Sequence, residues 1–247
     1  MSLASSSLKA RVSDSRSSER SHFPVGIALA MLAVNVVGFG PTLYLRPFFD
    51  VPPIPAYLYL HGAIGTAWFS LVVIQTVLVA KHRVAIHRRL GWAGAALAAV
   101  VLVSGVYTSA NMVPRNVAMG LTSEADLALF GAVTAADNSA FLVFPTLVLL
   151  GVAFRRRPDV HKRLMLVASL SILGPAVARI ASWYGPIPNP VTPVLILGAV
   201  ALLLAYDFKS RGRLHIATVL GVLLFLAVNV GMQLSGIGPA LVEQRMP

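Results

Sequence analysis

The chain contains no cysteine. Disulfides, iron–sulfur clusters and thiolate metal sites are therefore excluded, and any metal must use histidine, carboxylate, methionine or backbone oxygen. Charge is scarce as well. Asp, Glu, Lys and Arg make up 12% of the 247 residues, against roughly 25% in a soluble domain. Acidic residues are the scarcer sign, nine against twenty basic ones, for a net charge of +11. No phosphate-cradling glycine loop, H-E-x-x-H or G-x-S-x-G pattern occurs, which removes the common nucleotide, zinc-protease and hydrolase classes. The last apolar run holds no lysine, so a retinal Schiff base of the usual seven-helix kind is not expected. Nothing points to a soluble catalytic domain.

What remains is apolar. Hydrophobic residues are 57% of the chain and the mean hydropathy is +0.77. Apolar runs fall at about 25–45, 56–80, 91–110, 135–154, 163–183, 191–206 and 214–235. Each approaches the roughly 20 residues a helix needs to cross a bilayer, the sixth being short. Pro145 and Pro175 lie inside runs, which neighbouring helices tolerate by satisfying the freed backbone groups. Residues 1–22, rich in Ser and Arg, read as a disordered tail ahead of a transmembrane domain over 23–247. The first apolar run lacks an A-x-A-like cleavage site and reads as an uncleaved anchor.

The basic residues then assign direction. Sixteen of the twenty fall in the tail and in the second, fourth and sixth loops; Arg46, Arg115, Arg179 and Arg245 fall on the other side. Short loops rich in Lys and Arg stay cytoplasmic. The expected architecture is an all-α bundle of seven transmembrane helices, N-terminus in and C-terminus out. The basic loops imply contact with anionic lipid, not nucleic acid. Segment 116–134 is compatible with an outer-face amphipathic helix or with an extension of the fourth span. The loop at 185–193, with four prolines, should be a rigid outer turn.

Two sets of residues could carry chemistry. His87, His161 and His215 stand at the inner ends of three outward-running helices, in HRRL, HKRL and GRLH. A helix N-terminus disfavours a cation and keeps imidazole neutral, the form that binds a metal ion or haem iron. Arg88 and Arg163 beside them suit an anion such as a lipid phosphate or a haem propionate. The plainer reading is a set of solvated headgroup contacts. The second set follows from His61, Trp68, Gln75 and His82, which recur every seven residues and so share one face of the second span. With Asp137 and Arg179 near the outer ends of other spans, His61 would form a polar outer pocket. An Asp137–Arg179 pair is expected because intramembrane charges usually pair. Trp68 and Gln75 would lie deeper along the same stripe. The alternatives are a packing role for Trp68 and headgroup contact for Arg179.

Residues 57–92, with HGAIGTAW, Gln75 and HRRLGW, and residues 155–179, with RRRPDVHKRLM, resemble a family of uncharacterised bacterial seven-helix membrane proteins. RGRLHIATVLG at 211–221 resembles its third block. The resemblance implies the bacterial inner membrane and marks His61, Trp68, Gln75, His87, Arg88, Leu90, His161, Arg163 and His215 as motif positions. It assigns no activity. Placing His near helix ends is also loosely similar to transmembrane cytochromes b and small oxidase-assembly proteins. The outer side has only His61, so a second, outer bis-His haem is not expected. Three functions follow as expectations: a redox or assembly protein with haem b or a metal ion at the inner histidines; a small-solute transporter lined by the His61–Gln75 stripe; or a structural partner of other membrane proteins.

Overall fold

The computed structural model describes residues 22–184 and 191–246. The tail up to residue 21 and the core of the proline-rich turn, 185–190, lie outside the described residues. The described chain is all-α. Six helices are long and apolar enough to cross a membrane: α1 (His22–Tyr44), α2 (Ala56–Ala80), α3 (Val84–Ala110, prolonged by the short α4, Met112–Ala118), α5 (Glu124–Ala153), α8 (Val191–Arg211) and α9 (Ile216–Leu234). The pair α6 (Pro158–Ser171) and α7 (Gly174–Ala181), bent by 46°, passes the same test together. A further helix, α10 (Ile237–Arg245), follows α9.

The surface is inverted relative to a soluble protein. Val103, Leu149, Leu220 and Leu223 are exposed, while the central core combines Trp68, Phe144, Leu147 and Leu170 with Met31 and Phe225. Exposed aliphatic surface on this scale marks contact with lipid. These helices make an integral multi-pass membrane protein.

α5 is the axis of the bundle, packed against α3, α6, α9 and α10. It starts at Glu124, well before the apolar run at 135, because Ser123 and Asp126 form a capping box: Ser123 Oγ accepts from the Asp126 N–H (3.2 Å), and the Ser123 N–H donates to Asp126 Oδ2 (3.0 Å). Such a box satisfies two otherwise orphaned donors. Segment 116–134 thus divides between α4 and the first turns of α5, with a left-handed turn at Gly120 (φ 82°) between them.

The fifth span is broken, not merely kinked. α6 ends at Ser171 and α7 restarts at Gly174–Pro175, since proline lacks an N–H and clashes with the preceding turn. The bend lets α1 approach closely: a Cβ on Gly38 would collide with the Ala176 backbone of α7. α10, absent from the sequence expectation, turns off α9 at Gly236 (φ 70°). It docks on α5 where Gly238 meets the backbone of Gly131.

Candidate functional site

The seven-residue stripe of α2 is a row of inter-helix ties. At one end, the His61 Nδ1 nitrogen lies 3.0 Å from Ser104 Oγ on α3. The Ser104 hydroxyl already donates to the Val101 carbonyl (3.1 Å), so the proton in the pair belongs to His61 Nδ1 and its Nε2 carries the lone pair. Mid-bundle, the Trp68 Nε1–H donates to Ser169 Oγ on α6 (3.3 Å), and its ring meets Phe144 edge-on with centroids 5.0 Å apart. Trp68 is therefore core. Gln75 belongs to the opposite end from His61. With its amide oriented to suit its neighbours, it donates to His87 Nδ1 (2.6 Å) and to the His87 carbonyl (3.2 Å), and accepts from the Gly91 N–H (3.1 Å). His82 ends the stripe in an exposed left-handed turn (φ 57°).

Two of the three inner histidines meet. The rings of His87 on α3 and His161 on α6 lie 6.1 Å apart with planes at 80°. His161 Nδ1 is 2.8 Å from the Gly151 carbonyl. A carbonyl only accepts, so Nδ1 carries the proton and Nε2 is left as a lone pair. His87 has the complementary arrangement: Nδ1 accepts from Gln75, so Nε2 bears the proton. Arg88 is exposed and points to no partner in this pair. Arg155 lies over the nearby Trp92 ring at 5.9 Å.

His215 goes elsewhere. It caps α9, Nδ1 accepting from the Ala217 N–H at 3.1 Å. Its neighbours form a buried ionic centre that joins α6, α8 and α9. Arg163, 5% exposed, donates through Nε to Oδ1 of Asp207, 1% exposed, at 2.8 Å, and Nη2 adds a second bond to the same oxygen. Asp207 Oδ2 accepts from the Thr218 hydroxyl and from the His215 N–H (3.3 Å). Arg163 Nη1 donates to the Asp159 carbonyl (2.8 Å). Burial first, then the charges of Arg163 and Arg211, hold the His215 imidazole below the usual histidine range, with Asp207 and Asp159 pulling the other way. Among the described residues no three His, Asp or Glu side chains converge as a metal-holding group. The donor set at this end is therefore a pair of imidazoles, with His215 apart.

At the other end, Asp137 on α5 sits beside Ser109 and within electrostatic range of Arg179 and Arg245. Arg179 also bears electrostatically on His61 and feels Arg115. The expected Asp137–Arg179 pair is not closed. Among the described residues, every Lys or Arg ion pair within 4.0 Å involves Asp159 or Asp207. Arg179 instead covers the Phe39 ring at 4.3 Å and donates to the Pro175 carbonyl of its own helix (3.2 Å). Arg245 donates to the Ser109 carbonyl (3.2 Å). The Ser109 side chain engages Asp137, while the hydroxyls of Thr108 and Thr134, and Arg115 Nε, are buried without a protein partner. The outer layer thus gathers His61, Asp137 and Arg179 but neither Trp68 nor Gln75.

Asp207 is the charged residue that sequence reasoning missed. It follows the apolar run at 191–206 and reads there as loop charge. The available signal was its isolation as the one acidic residue of α8: buried charges are kept only when paired. Comparison with known proteins finds no family model that matches the chain, no similar curated protein and no similar solved structure.

Proposed function

We propose that this protein spans a bacterial cytoplasmic membrane seven times, with α6 and α7 together as one broken span, and holds a haem b or a single transition-metal ion between His87 and His161 at its basic, cytoplasmic face. The observation that carries this reading is the imidazole pair, 6.1 Å apart, with His161 Nδ1 held by the Gly151 carbonyl so that its Nε2 is free. Metal–nitrogen bonds of about 2 Å on either side of one ion put two ring centroids roughly 6 Å apart. Histidine ligands characteristically give their second nitrogen to a carbonyl or carboxylate, which fixes the ring. His161 meets that condition through Gly151. His87 does not meet it as placed: the Gln75 amide donates to Nδ1 and to the His87 carbonyl, so ligation through Nε2 requires the Gln75 side chain to leave those partners. His87 and His161 would be the residues that hold a haem iron or a single metal ion there. Such a group would supply one-electron chemistry at the membrane face.

The test is the oxidised and reduced absorption spectrum of the purified protein, with metal analysis of the same sample. Expected are a Soret band or a stoichiometric metal, either lost in His161→Ala and in His87→Ala. Gln75→Glu, whose carboxylate accepts from Nδ1–H, should retain or strengthen ligation. A protein that stays colourless after exposure to haemin and carries no metal overturns the reading. The topology has its own check. A reporter at the C-terminus should be periplasmic and one in the 155–157 loop cytoplasmic; a cytoplasmic C-terminus would mean that α6 and α7 do not cross together.

A further inference from the structure

The inner ends of α6 and α8 enclose a cleft of about 370 Å³ whose walls include Lys162, Arg163, Arg211, Arg213 and Asp159. That volume lies in the range of small-ligand sites. Four cations face one carboxylate there. The second carboxylate, Asp207, is spent behind the wall, with Oδ1 on Arg163 and Oδ2 on Thr218 and the His215 N–H. Asp159 is left to serve three cations: Lys162 Nζ at 3.2 Å, Arg163 Nη1 at 3.4 Å and Arg211 Nη1 at 3.3 Å. Its side chain is 60% exposed, so it shields them from one side only. Arg213 closes no ion pair within 4.0 Å among the described residues.

The surroundings decide what kind of anion fits. The cleft opens at the ends of two apolar helices that read as parts of membrane spans. On α8, Leu202 is exposed one turn from the cleft-lining Tyr206. A ligand seated here would have its anionic part among the cations and an apolar part along α8. Basic pockets between transmembrane helices at the cytoplasmic side take anionic headgroups for this reason.

We infer that this cleft is a binding site for the phosphate headgroup of an anionic phospholipid, with the acyl chains running along the exposed face of α8. The inference rests on the membrane reading of the fold and is independent of any cofactor at His87 and His161, so the two succeed or fail separately.

The experiment uses the full chain in nanodiscs of phosphatidylcholine alone and of phosphatidylcholine with phosphatidylglycerol, and in detergent with a short-chain phosphatidylglycerol or with inorganic phosphate. Binding of the short-chain lipid and the shift in melting temperature are read. Expected is saturable binding and a raised melting point with the anionic lipid. Affinity should fall roughly five-fold for each cation removed in Arg213→Gln and Lys162→Gln, as a surface contribution of about 1 kcal/mol per cation implies. Inorganic phosphate should leave the melting point unchanged at matched ionic strength. Arg213→Gln touches no ion pair of the fold and serves alone if Lys162→Gln is poorly folded. Equal binding by parent and Arg213→Gln, or an equal effect of phosphatidylcholine alone, overturns the site. A saturable effect of inorganic phosphate that equals that of the lipid would assign the cleft to a soluble anion and overturn the lipid.

Discussion

At the basic end of the bundle, both oxygens of Asp207 and all three guanidinium nitrogens of Arg163 are engaged, across three helices. At the opposite end, Asp137 is held by Ser109 and lies in range of Arg179 and Arg245 without closing an ion pair. An unsatisfied buried polar group costs roughly 1–3 kcal/mol. The first arrangement is what structural ionic centres look like: desolvation is offset only by full, well-directed bonding. The second keeps polar capacity that folding does not use. Local rules are broken in this way where a protein needs polarity for something other than stability. The Arg163–Asp207 centre is therefore structural, and the end around His61 is the less tightly bonded of the two.

The largest effect expected from this contrast is at Asp207. Asp207→Asn removes the buried partner of Arg163, leaving it only the exposed Asp159 at 3.4 Å, and should cost up to about 3–5 kcal/mol, read as a lowered melting point in detergent. The double variant Asp207→Leu, Arg163→Met should recover much of that loss, and the strong non-additivity is the signature of a closed pair. Gly238→Ala comes next. Its Cβ would collide with the Gly131 carbonyl and push α10 off α5, an overpacking cost of about 1–3 kcal/mol. Faster proteolysis within 235–246 would check it.

His215→Ala removes the α9 cap and should cost about 1 kcal/mol. This site also carries a pH dependence. The folded pKa is depressed, so the unfolded chain binds the proton more readily. Its contribution is full above the unfolded value of about 6.5 and is lost as the pH falls through the lower folded value. His215→Asn, which keeps a capping side chain, should flatten that slope in melting curves taken across acidic pH.

The smallest effect should be at Asp137. Asp137→Asn and Arg179→Gln should each change stability by no more than about 1 kcal/mol and should add. A coupling as strong as that of Asp207 with Arg163 would erase the contrast between the two ends.

The sequence exposed the spans well where one rule decides them. α2 begins and ends where the apolar run does, at Ala56 and Ala80, because run length and bilayer thickness coincide. It failed where a remote contact decides. α10 is a nine-residue helix with no clear apolar periodicity, and it stays because Gly238 fits against Gly131, more than a hundred residues away in the chain. α5 was half legible: the apolar run at 135–154 marks its second part, while the first turns from Glu124 fall in the segment 116–134 that could be a separate helix or an extension of the span. Of the candidate sites, the periodicity of α2 grouped His61, Trp68 and Gln75 on one face, yet a shared face extends along the whole helix. Periodicity carries no information about depth, so it could not say that His61 and Gln75 serve opposite ends, nor that His161 would turn to His87 and His215 away from it.

The Arg163–Asp207 bond also bears on how the protein is made. Synthesis runs from the N-terminus, and the partners are 44 residues apart. Arg163 therefore reaches the bilayer on α6 before α8 has emerged. Until Asp207 arrives its only partner is the exposed Asp159 one turn earlier on the same helix, and it is tolerated because it sits near a helix end where its side chain can reach the headgroups. The arrival of α8, and then of Thr218 and His215 at the start of α9, draws that charge inward. The second half of the bundle is thus assembled in a fixed temporal order, and a chain stalled before residue 207 would present to the membrane quality-control machinery a helix that has not yet found its counter-ion.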